Sequence, residues 1–273
     1  MPELPEVETV RRVLLPHLQN RTILNVRIYD PALVAAPSWE LFTAGVRGQR
    51  IADLARRGKF LQICFMSGDR LAVHLRMTGA LTVEPQAAPA GRHTRAAFSL
   101  SGGEELRYED VRRLGKMWFA KNGEEDRSGI AALGVEPFDA ALTPLYLENR
   151  GKNGKKPVKS MLLDQSVVAG IGNIYADEIL FAANLRPDKP CNALTEGEFA
   201  RLAKAIPERL DFFIGKNEIS FEDYLLGKGK EYRNTPYLQV YGKAGMPCPV
   251  CGETLRRVVL GGRSSVFCPR CQK

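Results

Sequence analysis

The sequence predicts an α+β protein of two domains, and three observations predict it. Short runs of alternating apolar and polar residues recur at hairpin spacing through the first half. Helical periodicity with a clear helix start replaces them in the second half. Two Cys-x2-Cys pairs close the chain. A length of 273 residues fits about two domains at roughly 150 residues each. With 44% hydrophobic and 26% charged residues the chain lies in the globular range, which excludes disorder as its main state. No uncharged run approaches the ~18 apolar residues of a membrane span. Glu3, Glu6 and Glu8 stand where a secretory signal needs a basic start and an apolar core. The formal charge of +8 points to an anionic partner without saying which.

In chain order, Val7, Val10, Leu14, Leu15 and Leu18 recur at helical spacing and predict an amphipathic helix from about Pro5 to Leu18. Alternation at Leu24, Val26 and Ile28, then Phe60–Met66, then Leu71, Val73 and Leu75, predicts strands. Phe98–Leu100 and Leu106–Tyr108 flank a Ser-Gly-Gly turn and read as a hairpin. Pro85, Pro89 and Gly91 mark Glu84–Thr94 as an exposed loop. One helix with several short strands suggests a β-sandwich or barrel. The polar run NGEEDRSG breaks the strand pattern near Asn122. Thr195 and Glu198 form a capping box ahead of Phe199, Leu202, Ala203 and Ile206, in a helix that Pro207 is expected to kink or shorten. Leu238, Gln239 and Val240 predict a strand entering the cysteine segment.

Cys248 and Cys251 (CPVC) and Cys268 and Cys271 (CPRC) have the spacing of a tetrahedral zinc site, two knuckles roughly 15–20 residues apart. Two disulfides are the competing reading, disfavoured by a reducing cytosol. Cys64 and Cys191 are solitary and are expected to be small buried hydrophobes. Basic residues cluster at Lys152, Lys155, Lys156 and Lys159, at Arg56, Arg57 and Lys59, and at Arg256, Arg257 and Arg263. Any one cluster reads equally as a solvated face; three of them with a zinc module favour nucleic acid. Gly170 and Gly172 invite a dinucleotide reading, but the third glycine would fall at Tyr175, so that fingerprint fails. A tight turn opening a helix near Asn173 remains, with backbone amides free to hold a phosphate or simply joining two helices.

Removal of Met1 would leave Pro2 with a secondary α-amine beside the acid Glu3. An α-amine has a reference pKa near 8 and a lysine near 10.4, so roughly 10% of the former and about 0.04% of the latter is unprotonated at pH 7. That is a ~250-fold advantage as a nucleophile. A secondary amine attacking a sugar aldehyde carbon forms an iminium that cannot shed its charge as a neutral imine, and so persists as an electron sink.

PELPEVETVRR, RRGKFL, HLRMTG, YEDVRRLG, LLDQSVVAGIGNIYADEILF, LQVYGKAGMPCPVCG and GGRSSVFCPRCQK, taken together and in this order, resemble bacterial formamidopyrimidine-DNA glycosylases. The resemblance implies an N-terminal β-sandwich catalytic domain over 1–130 and a linker over 131–150. A helix-two-turn-helix domain over 151–235 and a zinc finger over 236–273 would follow, with one structural zinc and double-stranded DNA between the domains. It also implies a cytoplasmic monomer working on the bacterial nucleoid, excising oxidised purines and cleaving abasic sites by β,δ-elimination. By the same resemblance Pro2 is the nucleophile and Glu3 the acid/base. Lys59 and Arg263 act at the reacting phosphates, and His93, Lys155, Asn173 and Arg257 contact DNA. Glu6 and His74 support them. Met77 and Arg112 fill the gap left by the flipped base, with Leu114 where the family usually has phenylalanine. Leucine still wedges between bases but lacks a flat stacking face.

The segment KNEISFEDYLLGKGKEYRN departs further. Asn217 and Glu218 replace a glycine pair, which removes easy positive-φ conformations, and Ser220 keeps the hydroxyl expected at the lesion. These departures leave open an endonuclease VIII-like preference for oxidised pyrimidines. A non-catalytic damage-binding protein is the rival of another class, and the intact Pro2-Glu3 pair argues against it.

Overall fold

Helix α1 (Leu4–Leu18) forms where the apolar spacing places it, with Val7, Val10, Leu14 and Leu18 all at 0% exposure. The computed structural model describes residues 1–227, 229 and 232–273. Beyond α1 come β1 (Ile23–Ile28), β2 (Val34–Ala36), α2 (Trp39–Val46), β3 (Ile51–Arg57), β4 (Phe60–Phe65) and β5 (Arg70–His74). They are followed by β6 (Gly79–Pro85), β7 (Thr94–Leu100), β8 (Glu104–Asp110) and β9 (Lys116–Ala120). Then come helices α3 (Pro144–Gly151), α4 (Val158–Leu163), α5 (Asn173–Ala182), α6 (Glu196–Lys216) and α7 (Phe221–Leu226), and last the hairpin β10 (Arg256–Leu260) and β11 (Arg263–Phe267).

The chain divides into two units. The first comprises Met1–Pro2, Glu6–Ala132 and Glu218–Tyr232. Its strands make two sheets, ordered β1-β7-β8-β6 and β2-β9-β5-β4-β3, and one apolar core draws Val26, Phe98 and Leu106 from one sheet and Leu61, Val73 and Met117 from the other. This is the expected sandwich. The predicted β7–β8 hairpin is present, with Phe98 opposite Leu106. In β1 the pairing slips between Ile23 and Asn25, so Ile23 and Val26 point inward while Leu24 is 53% exposed, against the simple alternation. Glu8 on α1 accepts from Arg11 at 2.8 Å, Arg12 at 2.8 Å and Arg56 of β3 at 3.3 Å. Burial opposes its charge, but these guanidinium bonds outweigh it and draw its pKa down to about 2. Arg56 is therefore spent inside the fold and is not part of a DNA-facing cluster.

The second unit comprises Glu3–Pro5, Leu133–Asn217 and Arg233–Lys273. Helices α3 to α6 pack around Leu147, Met161, Tyr175, Leu202 and Phe213. The capping box at Thr195 and Glu198 is in place. Contrary to expectation, α6 runs unbroken through Pro207 to Lys216. Its buried face, Phe199, Leu202, Ile206, Leu210 and Phe213, continues on both sides of the proline, and packing outweighs the one missing hydrogen bond. The strand expected at Leu238–Val240 is also absent. The N–H groups of Gln239, Val240 and Tyr241 all donate to the Glu178 carboxylate at 2.9–3.0 Å, which leaves them nothing to offer a ladder.

Candidate active site and DNA-contact residues

Two residues into the chain, Glu3 is 2% exposed. Its carboxylate accepts the backbone N–H groups of Gly172 at 2.9 Å, Ile174 at 3.0 Å and Tyr175 at 3.3 Å. These are the donors that open α5, so the acid sits at the positive end of that helix dipole. The glycines of VVAGIGN make the approach possible. A Cβ on Gly172 would lie 2.2 Å from the Glu3 carboxyl carbon, and one on Gly170, where φ is +93°, 2.6 Å from the Leu4 side chain. Leu4 N–H completes the hold by donating to Gly170 O at 3.1 Å. The helix terminus read as a phosphate site thus receives a carboxylate of the same chain. Asn173 is half-buried, and its Oδ1 has no partner among the described residues.

Pro2 is buried and Met1 is half-exposed. Lys59 sits at the two-residue turn joining β3 to β4 and is 8% exposed. His74 ends β5 with its ring edge against Phe60, centroids 4.7 Å apart. Its Nδ1 accepts the Arg76 N–H at 3.1 Å, which puts the proton of the neutral ring on Nε2. Burial first, then the charges of Arg76 and Lys59, push its pKa down to about 3, so the ring is neutral at physiological pH.

Met77, Arg112 and Leu114, the residues expected to fill the gap left by a flipped base, lie on two loops that share one tether. Asp110, at the end of β8, accepts from the hydroxyl of Thr78 and from the N–H groups of Arg112 at 3.1 Å, Leu114 at 2.9 Å and Gly115 at 2.8 Å. Burial pushes its carboxyl up, but these hydrogen bonds outweigh that and leave its pKa below the usual value. The loop after Met77 and the loop carrying Arg112 and Leu114 are thereby fixed to each other, and Arg112 Nη1 lies 3.1 Å from Met77 Sδ. Met77 and Leu114 remain 49% and 40% exposed. Sequence reasoning missed Asp110; an acid directly before a basic loop (EDVRR) was its only signal. His93 is half-buried, its carbonyl accepts the Asp110 N–H, and its Nδ1 has no partner among the described residues.

The lysine cluster separates into individuals. Lys152 faces Glu148 at 3.9 Å and Lys156 faces Asp164 at 3.5 Å. Lys159 is not a surface cation at all: it is 0% exposed, with Nζ 2.7 Å from Asp177. Lys155 is exposed, between α3 and α4. Ser220 caps α7 by accepting the Asp223 N–H at 3.1 Å, so its hydroxyl has a structural task. Asn217 ends α6 at φ −91°, so the missing glycines deny the backbone nothing there. Lys228, Lys230 and Glu231 of the same segment lie outside the described residues.

Gly261 (φ +53°) and Gly262 (φ +75°) turn β10 into β11, and Arg263 follows them, exposed. Arg257, also exposed, donates from Nε to Ser264 Oγ at 2.8 Å. Below the hairpin the four sulfurs of Cys248, Cys251, Cys268 and Cys271 lie within 4.8 Å of one another, with Cys248–Cys271 at 3.9 Å and Cys251–Cys268 at 3.5 Å. A tetrahedron with Zn–S bonds of about 2.3 Å has sulfurs about 3.8 Å apart. The observed separations far exceed a disulfide bond of about 2.05 Å, so the set fits one structural zinc with a closed ligand shell and not two disulfides. Of the solitary cysteines, Cys191 is buried and Cys64 only partly so.

Three family models match in order along the chain. The Formamidopyrimidine-DNA glycosylase N-terminal domain covers residues 1–117, the Formamidopyrimidine-DNA glycosylase H2TH domain 133–223, and the Zinc finger found in FPG and IleRS 245–273. A formamidopyrimidine-DNA glycosylase from Moorella thermoacetica is 47% identical over 259 residues, 94% of each chain. The chain belongs to the formamidopyrimidine-DNA glycosylase family. A second formamidopyrimidine-DNA glycosylase, from Geobacillus kaustophilus, is 41% identical over 275 residues and the full length of both. Among solved structures, the Lactococcus lactis enzyme bound to DNA containing Fapy-dG aligns at TM-score 0.88 and 31% identity, over 99% of this chain and 100% of that one. The same enzyme with DNA containing an abasic site aligns at TM-score 0.88 and 30% identity, over 99% of each chain. As a formamidopyrimidine-DNA glycosylase family member this chain has an N-terminal β-sheet domain, an H2TH helical domain and a C-terminal zinc finger. No helix among the described residues is long and apolar enough to cross a membrane.

Proposed function

We propose that Pro2, freed by removal of Met1, is the nucleophile of a DNA glycosylase and abasic-site lyase for oxidised purines. The observation that carries this reading is the seat of Glu3: a buried carboxylate held by three backbone donors and next in sequence to Pro2, whose secondary α-amine is the class of amine most suited to attack. The damaged purine is flipped from the duplex, and the Pro2 amine attacks C1′. The glycosidic bond breaks, the base leaves with the bonding electrons, and Glu3 exchanges a proton with the opening sugar ring. The iminium acidifies C2′: loss of a C2′ proton to a base breaks the C3′–O bond and expels the 3′ phosphate, and loss of the C4′ proton then breaks the C5′–O bond and expels the 5′ phosphate. Lys59 and Arg263 serve at those phosphates. Met77, Arg112 and Leu114 occupy the vacated base position, and Lys155, Asn173, His93 and Arg257 grip the flanking backbone. Ser220, spent on its helix cap, is the weakest of the expected DNA contacts. We read residues 1–130 as the catalytic domain, 131–150 as linker, 151–235 and 236–273 as DNA-gripping modules, working as a monomer in the bacterial cytoplasm on the nucleoid.

Borohydride trapping on duplexes carrying 8-oxoguanine, formamidopyrimidine, thymine glycol or an abasic site tests this. Covalent adducts are expected with the two purine lesions and the abasic site. Absence of any adduct with DNA binding intact would eliminate an enzyme, and thymine glycol release well above 8-oxoguanine would select the pyrimidine reading.

A further inference from the structure

Lys159 and Asp177 form a buried ion pair that the reaction does not use. Both side chains are at most 1% exposed and 2.7 Å apart. Such a pair adds little net stability over apolar residues of the same size, so its geometry is the informative part. Lys159 Nζ donates to the carbonyl of Ser264 at 2.9 Å, and Asp177 Oδ2 accepts the N–H of Val266 at 3.0 Å. Leu260 and Arg263 close the β10–β11 hairpin, so by antiparallel alternation Arg263, Ser265 and Phe267 direct their main-chain groups at β10. Ser264 and Val266 therefore direct theirs outward, along the free edge of a two-stranded sheet. The pair takes up one carbonyl and one N–H on that edge, on either side of Ser265.

We propose that Lys159 and Asp177 are positioning residues for Arg263: by pinning the free edge of β11 to α4 and α5, they fix where the hairpin presents its guanidinium. The proposal rests on the reading that Arg263 works at DNA phosphate. Arg263 and Glu3 are also electrostatic neighbours of the Lys159 ammonium. The helix that supplies Asp177 begins with the amides that hold Glu3, so one short helix sets both groups. A strand held only by its hairpin partner and the zinc knuckles would leave Arg263 free to swing, and misplacement of a phosphate-binding group costs affinity.

The test uses full-length, zinc-loaded protein in three forms. Lys159→Met with Asp177→Asn removes both charges and keeps an acceptor for Val266; the others are Arg263→Ala and all three changes together. Hydrogen exchange at residues 263–267 reads the clamp itself. Faster exchange with one zinc per chain retained is expected for the paired variant, and unchanged exchange overturns the proposal. Should the paired variant lose its zinc, Asp177→Asn alone carries the same measurement. Affinity for a duplex with a tetrahydrofuran abasic analogue reads the consequence. The paired variant and Arg263→Ala should each weaken binding about ten-fold, and the triple variant no more than Arg263→Ala. Multiplying losses would show that the pair acts elsewhere and overturn the proposal. If Arg263→Ala changes neither affinity nor elimination, Arg263 has no such role and the positioning claim falls with it. The exchange data distinguish that failure from a failure of the clamp.

Discussion

Gly172 is a glycine because Glu3 occupies the space of a side chain there. Gly172→Ala should displace the carboxylate and cut base release and borohydride trapping by about 100-fold or more, the scale of losing one positioned catalytic group. Zinc content and circular dichroism should be unchanged; normal trapping would show that Glu3 can shift without consequence. Pro2→Gly, or a form that retains Met1, should likewise suppress the adduct, and normal trapping in either would move the nucleophile elsewhere. Asp110 fixes the loops that carry Met77, Arg112 and Leu114. Asp110→Asn turns at least one acceptor into a donor facing donors, at a cost of about 1–3 kcal/mol. Excision of 8-oxoguanine should fall more than cleavage of an abasic site, where no base must be flipped; equal losses would contradict a role in base eversion. Because its folded pKa lies below the ordinary aspartate value, its ionised form stabilises the fold above that value, and the contribution is lost as pH falls through the folded pKa. The stability gap between wild type and Asp110→Asn should therefore narrow in acid below about pH 3.8 and stay constant above it.

Among the elements, α7 shows how a segment is held by partners distant in sequence. The stretch from 216 to 234 was expected to act at the lesion, with its altered glycine pair as the main concern. Within it, α7 belongs to the first unit, where Phe221 stacks on His17 at 3.4 Å and Tyr224 is fully buried with its hydroxyl donating to Leu81 O at 2.8 Å. Tyr224→Phe should cost about 1 kcal/mol in denaturant unfolding, the net worth of one buried hydrogen bond. A loss near zero would mean that the hydroxyl merely fills space. Helices α1, α5 and α6 were readable because their apolar spacing and their start signals are local. The continuation of α6 through Pro207 was not readable, because it depends on partners on other helices. The same is true of residues 239–241, whose amides answer to Glu178, distant in sequence.

For the molecule as a whole, charge had to be sorted by place. Of the basic residues assigned to DNA by clustering, Arg56 serves Glu8 and Lys159 serves Asp177, while Lys155, Arg257 and Arg263 stay exposed. The zinc segment is too small to hold itself together by apolar burial, its core being little more than Phe181, Val240, Leu255 and Val266 beside the cysteines. Chelation should unfold the hairpin and weaken duplex binding while the first unit's strands persist; unchanged affinity in metal-free protein would contradict a role for the hairpin in DNA binding. Binding by the exposed cations should also weaken with salt.

By itself the sequence determined the class of the fold, the zinc ligands, the family and the Pro2-Glu3 pair, since each is written in short-range spacing or in ordered motifs. Only the tertiary structure decided which acid meets which amide, that the GIG turn cradles Glu3, that Asp110 joins the loop of Met77 to the loop of Arg112 and Leu114, and that Lys159 is buried. Those outcomes depend on hydrogen-bond partners brought together from separate parts of the chain, where burial leaves a polar group no water to fall back on.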